Sequence, residues 1–351
     1  MSRRLSNMEL LRIVAMLFIL VVHADFKALG APTLDDMEAS PLLSFFRLLG
    51  QSMSIVCVNL FILISGWFGI RPKIARFSEF VFQVLFFGIS IYLVMYAFGL
   101  VTEWSKYDWI KLLFFRRGDS LWFVTSYIVL YIFSPILNEF AEHANRQVFK
   151  RVLMSFFIVQ LFFGHIDSDD FFAKGYSPIS FMGLYLLAKY SHLYPSKYTS
   201  LNKYYDICIY LSIVFTIVLL AFLFKIATGK GISFLYDYSS PLVILASFYF
   251  FLFFTKISFY NKVINWIGAS SFAVYLLHSD PLLFKTYYLD NIYEWYTNES
   301  LSNFLLQTSG FLICIFSLSI LFDKIRLYTW NLLYCILEQD WKKREKKTKQ
   351  A

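Results

Sequence analysis

Apolar runs of roughly membrane-spanning length recur along the whole chain, separated by short polar stretches, and this rhythm sets the first expectation. A bilayer core is crossed by about 20 mostly apolar residues rising about 1.5 Å each. Runs of that size predict ten helices, near residues 9–27, 50–70, 80–101, 121–138, 150–164, 178–192, 206–226, 240–256, 266–284 and 302–323. The fifth and sixth are short and the ninth contains Pro281, but short segments still span when packed against neighbours. The expectation is an all-α, polytopic membrane protein. Residues 1–323 form the membrane domain and 324–351 a basic cytoplasmic tail, which after Trp341 reads WKKREKKTKQA and suits an anionic inner leaflet. No internal repeat of fixed period is visible.

The N-terminus has two readings. Arg3 and Arg4 ahead of the apolar run Ile13–Val22, followed by His23 and Ala24, resemble a secretory signal with a small-residue cleavage region. The many later spans, and the polar residues Arg12 and His23 at the ends of the run, favour an uncleaved first transmembrane helix.

Composition narrows the class. The 351 residues are 58% hydrophobic, 21% aromatic and only 16% charged, which excludes an ordinary cytosolic protein. Forty-one Phe and 24 Tyr against 14 Gly and 8 Pro exclude collagen-like and disordered chains. With ten spans and a cytoplasmic N-terminus, the inner side receives 22 Lys/Arg and 9 Asp/Glu, a net +13; the outer side receives 10 and 15, a net −5. That asymmetry matches the positive-inside rule and puts both termini in the cytoplasm. The overall charge of +8 then reflects topology and contact with membrane lipids, and no nucleic acid is expected as a partner. Arg116-Arg117 is a local exception on the outer side; it suits either an acidic acceptor or headgroup anchoring of the amphipathic stretch Trp109–Phe115. Cys57, Cys208, Cys314 and Cys335 lack C-x-x-C spacing, so neither a disulfide framework nor a metal site is expected.

Polar residues inside apolar spans are costly and mark functional candidates. Arg12 and His23 are 11 positions apart, about three helical turns, so they share a face roughly 16 Å apart. The bland alternative is an Arg12 that snorkels to inner headgroups and a His23 that sits at the outer interface. In the second span Ser65-Gly66 allows close helix approach or room for a ligand chain. Arg71, Lys73 and Arg76 follow on the cytoplasmic side, where three cations signal topology and also suit a phosphate-rich ligand. Trp122, in Ser120-Leu121-Trp122-Phe123, opens the fourth span as an interfacial aromatic. In the ninth, Tyr275-Leu276-Leu277-His278 places a second histidine towards the outer side, where a hydrogen-bonded interior role competes with catalysis.

Four of these features arrive in order: Glu9-Leu10-Leu11-Arg12 with ten residues before His23, the Phe61–Gly66 segment, Leu121-Trp122-Phe123, and Tyr275-Leu276-Leu277-His278. In them the chain resembles the integral-membrane acyltransferase-3 family, which includes bacterial polysaccharide O-acetyltransferases. The resemblance implies transfer of an acyl group, usually acetyl, from cytoplasmic acyl-CoA to a carbohydrate hydroxyl at or beyond the outer half of a bacterial cytoplasmic membrane. It implies acetyl-CoA as donor substrate, with no tightly bound cofactor, and a polysaccharide or lipid-linked glycan as acceptor. The family's cytoplasmic R-x-x-R element, associated with the CoA end, stands here as Lys73-Ile-Ala-Arg76; lysine keeps the charge but lacks the guanidinium fork. Ser65, Gly66 and Arg71 complete the expected acyl-CoA site. Trp122, Tyr275 and His278 are expected beside the acceptor or around the catalytic group. Some relatives add an extracytoplasmic esterase-like domain; none is visible here, so direct transfer or a separate partner is expected.

Acylating an alcohol requires removing its proton and stabilising the developing oxyanion. An imidazole suits the first task at neutral pH, which makes His23 the expected base; a covalent acyl-histidine remains open on sequence grounds. Arg12 is too distant to touch the same atom, and it is expected to contact the CoA arm or hold a partner helix. The rival from another class is a transporter or flippase for lipid-linked sugars, which would also need ten spans and buried charge. Repeated halves or broken helices would favour it, and neither is evident in the sequence. A glycan polymerase, the third option, would concentrate its charges in large outer loops.

Overall fold

The computed structural model describes residues 4–101, 121–167 and 170–348, and every regular element within them is helical. Arg116-Arg117, the stretch 109–115 and Ser120 lie outside the described residues. In chain order the helices are α1 Ser6–Val22, α2 Leu34–Ala39, α3 Pro41–Ser54, α4 Cys57–Phe68, α5 Ile74–Ala97, α6 Trp122–His143, α7 Arg146–Val159 and α8 Pro178–Leu193. They continue as α9 Lys203–Thr228, α10 Pro241–Thr255, α11 Lys262–Gly268, α12 Phe272–His278, α13 Asp290–Asn298 and α14 Leu301–Thr348. The last runs unbroken through residue 323, where the sequence suggests a tail begins.

Seven segments are long and apolar enough to cross a bilayer: Pro41–Phe68, Ile74–Ala97, Trp122–His143, Arg146–Ile166, Lys203–Thr228, Ser233–Thr255 and Leu301–Ile336. Each overlaps one of the ten expected spans. The runs at 9–27, 178–192 and 266–284 are not among the seven, so a count of ten is not reached by this measure. α1 has 17 residues, carries Glu9 and Arg12, and passes directly into a π-helical turn, His23–Lys27. α8 has only 16 residues. The third run is broken into α11, α12, a single turn Pro281–Leu283 and a π-helical stretch Phe284–Leu289.

The breaks in that third run follow from its polar residues. Ser271 turns its hydroxyl onto the Gly268 carbonyl at 3.0 Å, and Asp280 accepts from the Leu282 amide at 3.0 Å, restarting the helix before Pro281. Non-helical backbone at membrane depth is tolerated only inside protein or along a cavity. Ser270, Ser271, Ser279 and Asp280 are all buried.

Burial separates an inner layer from an outer one. Within the apolar windows, 72% of Pro41–Phe68 and 67% of Ser233–Thr255 are buried, against 17–33% for the other five. α1 lies in the inner layer, with Leu11, Ala15, Met16 and Leu20 buried against α3, α4 and α10 to α12. The outer layer exposes apolar stripes such as Leu211, Phe215 and Leu219 on α9, a surface that suits hydrocarbon. α4 and α8 approach so closely that a Cβ on Gly66 would stand 2.2 Å from the Tyr185 carbonyl oxygen. Gly69, at φ +74°, then ends α4 and turns the chain towards Arg71.

A buried ion cluster fixes α14 to α5. Both oxygens of Asp323 accept from the Arg326 guanidinium, at 2.9 and 3.1 Å, and Oδ1 also accepts from Gln83 at 2.9 Å. Arg326 reaches Glu79 at 3.2 Å. Glu79 is one turn from Arg76, so the cluster steadies the end of α5 from which the cations project.

Candidate active site

α1 serves two separate cavities, with His23 on the wall of one and Arg12 on the wall of the other. The first has a volume of about 920 Å³ and is also lined by Trp122, Phe123, Tyr238, Tyr275 and Phe284. The second, about 360 Å³, is lined by Arg12, Ser65, Arg71, Arg76, Tyr127 and Tyr131. We refer to them as the outer cavity and the inner pocket, following the sequence-based orientation.

In the outer cavity the two histidines meet. His23 opens the π-helical turn at the end of α1, an irregularity frequent at functional sites. Its Nδ1 lies 3.0 Å from Nε2 of His278, the last residue of α12. The bonding decides which nitrogens carry protons. His278 Nδ1 lies against the Val274 carbonyl oxygen, which can only accept, so Nδ1 carries the hydrogen. Nε2 of a neutral His278 is then an acceptor, towards His23 Nδ1 and towards the Ser279 hydroxyl at 3.1 Å. His23 Nδ1 therefore donates, and His23 Nε2 is left as a lone-pair nitrogen on the ring that lines the cavity. Phe284 packs edge-on to His23 with centroids 5.0 Å apart, and Tyr288 lies 5.2 Å from His278. Tyr288 is itself held by a 2.6 Å bond to the Leu20 carbonyl.

His278, expected beside the acceptor or around the catalytic group, meets His23 from an element 255 residues away. Trp122 and Tyr275 both line the same cavity.

The inner pocket gathers three guanidinium groups. Arg12 donates to Glu9 Oε1 at 2.7 Å, one helical turn away, and Arg4 reaches the same oxygen at 3.2 Å. Glu9 is buried and holds Arg12 in place. Arg71 and Arg76 have no carboxylate partner among the described residues. Arg76 lies in the first turn of α5, whose amino-terminal end adds a favourable field for anions. Ser65 lines the pocket, its hydroxyl bonded to the Phe61 carbonyl at 2.9 Å and 3.4 Å from the Tyr127 hydroxyl.

Two expected donor-site residues stand elsewhere. Lys73 is not on the pocket wall; its backbone N–H and C=O both bond the Tyr131 hydroxyl, at 2.8 and 3.1 Å. Gly66 is pressed against Tyr185 and makes a packing contact. Arg71, expected in the acyl-CoA site, is on the wall beside Arg76. Sequence reasoning passed over Glu9 as the partner of Arg12, and over Tyr127 and Tyr131. The signal for the tyrosines is their spacing: Phe123, Tyr127 and Tyr131 recur every four residues on one face of α6.

A wall of aromatic rings stands between the cavities. Phe61, Phe123 and Phe272 line the outer cavity, whereas Phe80 and Tyr127 line the inner pocket. Phe123 stacks on Tyr127 with centroids 5.8 Å apart, and Phe80 stacks on Phe272 at 5.6 Å. The partition is thus two rings thick.

A family model described as an acyltransferase domain, of the acyltransferase-3 type, matches residues 5–324. The chain belongs to the acyltransferase-3 family. Comparison with curated proteins and with solved structures finds no match. The matched region contains both histidines and all the cations of the inner pocket, so the two cavities described above are those of a membrane acyltransferase.

Proposed function

We propose that this acyltransferase moves an acetyl group from cytoplasmic acetyl-CoA to a hydroxyl of a surface polysaccharide or its lipid-linked precursor. The observation that carries the reading is the placement of a cationic pocket and a histidine-bearing cavity back to back across one aromatic wall. Arg71 and Arg76, with Arg12 held by Glu9, present fixed charge to the phosphates of CoA. The acyl-pantetheine arm reaches towards the outer cavity as the rings of Phe80, Phe123, Tyr127 and Phe272 move aside. His23 Nε2 takes the proton of the acceptor hydroxyl as its oxygen attacks the thioester carbonyl. The imidazolium so formed strengthens its Nδ1–H bond to His278 and returns the proton to the departing CoA thiolate. On this reading His23 is the catalytic base, and His278 is a positioning residue that fixes its tautomer.

The same reading places the protein in a bacterial cytoplasmic membrane with ten crossings and both termini in the cytoplasm. The three segments that fall short in length are then completed by neighbouring helices and π-helical turns. The decisive experiment supplies membrane-embedded protein with labelled acetyl-CoA and crude envelope polysaccharide. Label appears in the polysaccharide with release of free CoA; absence of both, with the protein folded and in the membrane, refutes the proposal.

A further inference from the structure

A second set of polar side chains borders the outer cavity. Gln51 of α3 and Asp237, in the turn ahead of α10, both line it and are only 2% and 7% exposed. Gln51 Oε1 and Asp237 Oδ2 have no hydrogen-bond partner among the described residues. His165 Nδ1 stands 3.8 Å from that Asp237 oxygen, beyond hydrogen-bond reach. Buried polar atoms are normally paired, and two left over on side chains that line one cavity point to a ligand that meets them when those side chains turn to face it. Both are acceptors, so the ligand that completes them carries O–H or N–H donors.

The adjoining wall is aromatic. Trp122 lies 4.5 Å from Tyr176 and 6.2 Å from Tyr238, centroid to centroid, and Tyr176 lies 4.9 Å from Tyr238. A pyranose has an apolar C–H face to pack on such rings and hydroxyls around its edge to donate to the two oxygens. A thioester arm has few donors, and a phosphate would meet the carboxylate as a like charge. Lys27 and Lys285 also line the cavity, but both are exposed.

We propose that Gln51, Asp237 and the Trp122–Tyr176–Tyr238 wall form the acceptor-sugar subsite, which binds a pyranose unit and selects the hydroxyl presented to His23. This inference rests on the reading of the acceptor as a glycan.

The test uses full-length protein in lipid nanodiscs, with radiolabelled acetyl-CoA and crude envelope polysaccharide as the probe. Gln51→Leu and Asp237→Asn, on different elements, each raise the polysaccharide concentration at half-maximal transfer about tenfold or more. The half-saturating acetyl-CoA concentration stays within twofold of wild type. Size-exclusion chromatography and thermal melting of each variant establish folding first, and if one variant fails to fold the other decides. A folded variant with unchanged polysaccharide dependence, or with a shift in acetyl-CoA dependence instead, overturns the subsite. A wild-type protein that acetylates no polysaccharide overturns the glycan reading itself and the subsite with it, an outcome separable from loss in the variants alone.

Discussion

The outer cavity and the inner pocket draw on the same helices yet hold opposite chemistry. The π-helical turn that continues α1 gives His23 to one and α1 gives Arg12 to the other; α4 gives Phe61 and Ser65; α6 gives Phe123 and Tyr127. The outer cavity has an imidazole whose tautomer is set by a buried neighbour, and two acceptor oxygens that find no hydrogen-bond partner among the described residues. The inner pocket has fixed guanidinium charge and two arginines with no carboxylate partner among the described residues. A helix offers side chains on one face every three or four residues, so on α4 and α6 a shift of about one turn moves from one site to the next, whereas Arg12 and His23 stand about three turns apart. On the proposed reading, the difference teaches that proton transfer is lodged where partners are dry and constrained, and charge recognition where the ligand enters from water.

The comparison breaks most sharply at His23. Its replacement by Ala removes the lone-pair nitrogen, and transfer falls by about 100-fold or more, the scale of general-base loss. His23→Asn falls nearly as far, while acetyl-CoA binding measured by calorimetry is retained. Near-normal acetylation by His23→Ala would remove the catalytic assignment of the outer cavity.

The inner pocket should fail differently. Hydrogen bonds to charged groups contribute about 1.5–3 kcal/mol each, so Arg71→Ala or Arg76→Ala raises the KM for acetyl-CoA about tenfold or more. Dependence on polysaccharide stays put in steady-state kinetics. An equal fall in kcat with unchanged KM would return these arginines to a purely topological role.

His278 tests the link within the outer cavity. His278→Ala lowers kcat about tenfold, less than loss of the base itself, because His23 remains but is free to adopt the other tautomer. His278→Gln, whose side-chain oxygen still accepts from Nδ1–H, recovers part of the rate. The pH–rate profile shifts in the Ala variant, a change that a merely structural contact would not cause.

The smallest effect is expected at Lys73. Its backbone, which Tyr131 grips, survives substitution, so Lys73→Ala changes the KM for acetyl-CoA by less than about threefold, the range of a modest surface charge. A change as large as that of Arg76→Ala would restore Lys73 to the donor site.

Much of this architecture was legible from apolar run length alone, since seven of the expected spans appear where hydropathy puts them. The other three show the limits of that signal. A run can hold Glu9 and Arg12, or break at Ser270-Ser271 and Asp280-Pro281, when neighbouring helices satisfy its polar groups. Arg12 and His23 stood out as costly residues in an apolar span. Their surroundings did not, because the contact of His23 with His278 and the separation of Lys73 from Arg71 and Arg76 depend on how distant helices cross. Gln51 and Asp237 gave no signal at all: each is an ordinary polar residue until the fold buries one of its oxygens with no hydrogen-bond partner among the described residues.

The double layer of rings between the cavities has an electrical consequence. A membrane that stores an ion gradient cannot tolerate a continuous file of water, and on the proposed orientation the two cavities face opposite sides of it. Phe80, Phe123, Tyr127 and Phe272 interrupt that file with surfaces that offer water almost nothing to bind, and they act as insulation. On the proposed orientation, removing a ring pair would join the two cavities and turn the proposed transferase into a leak.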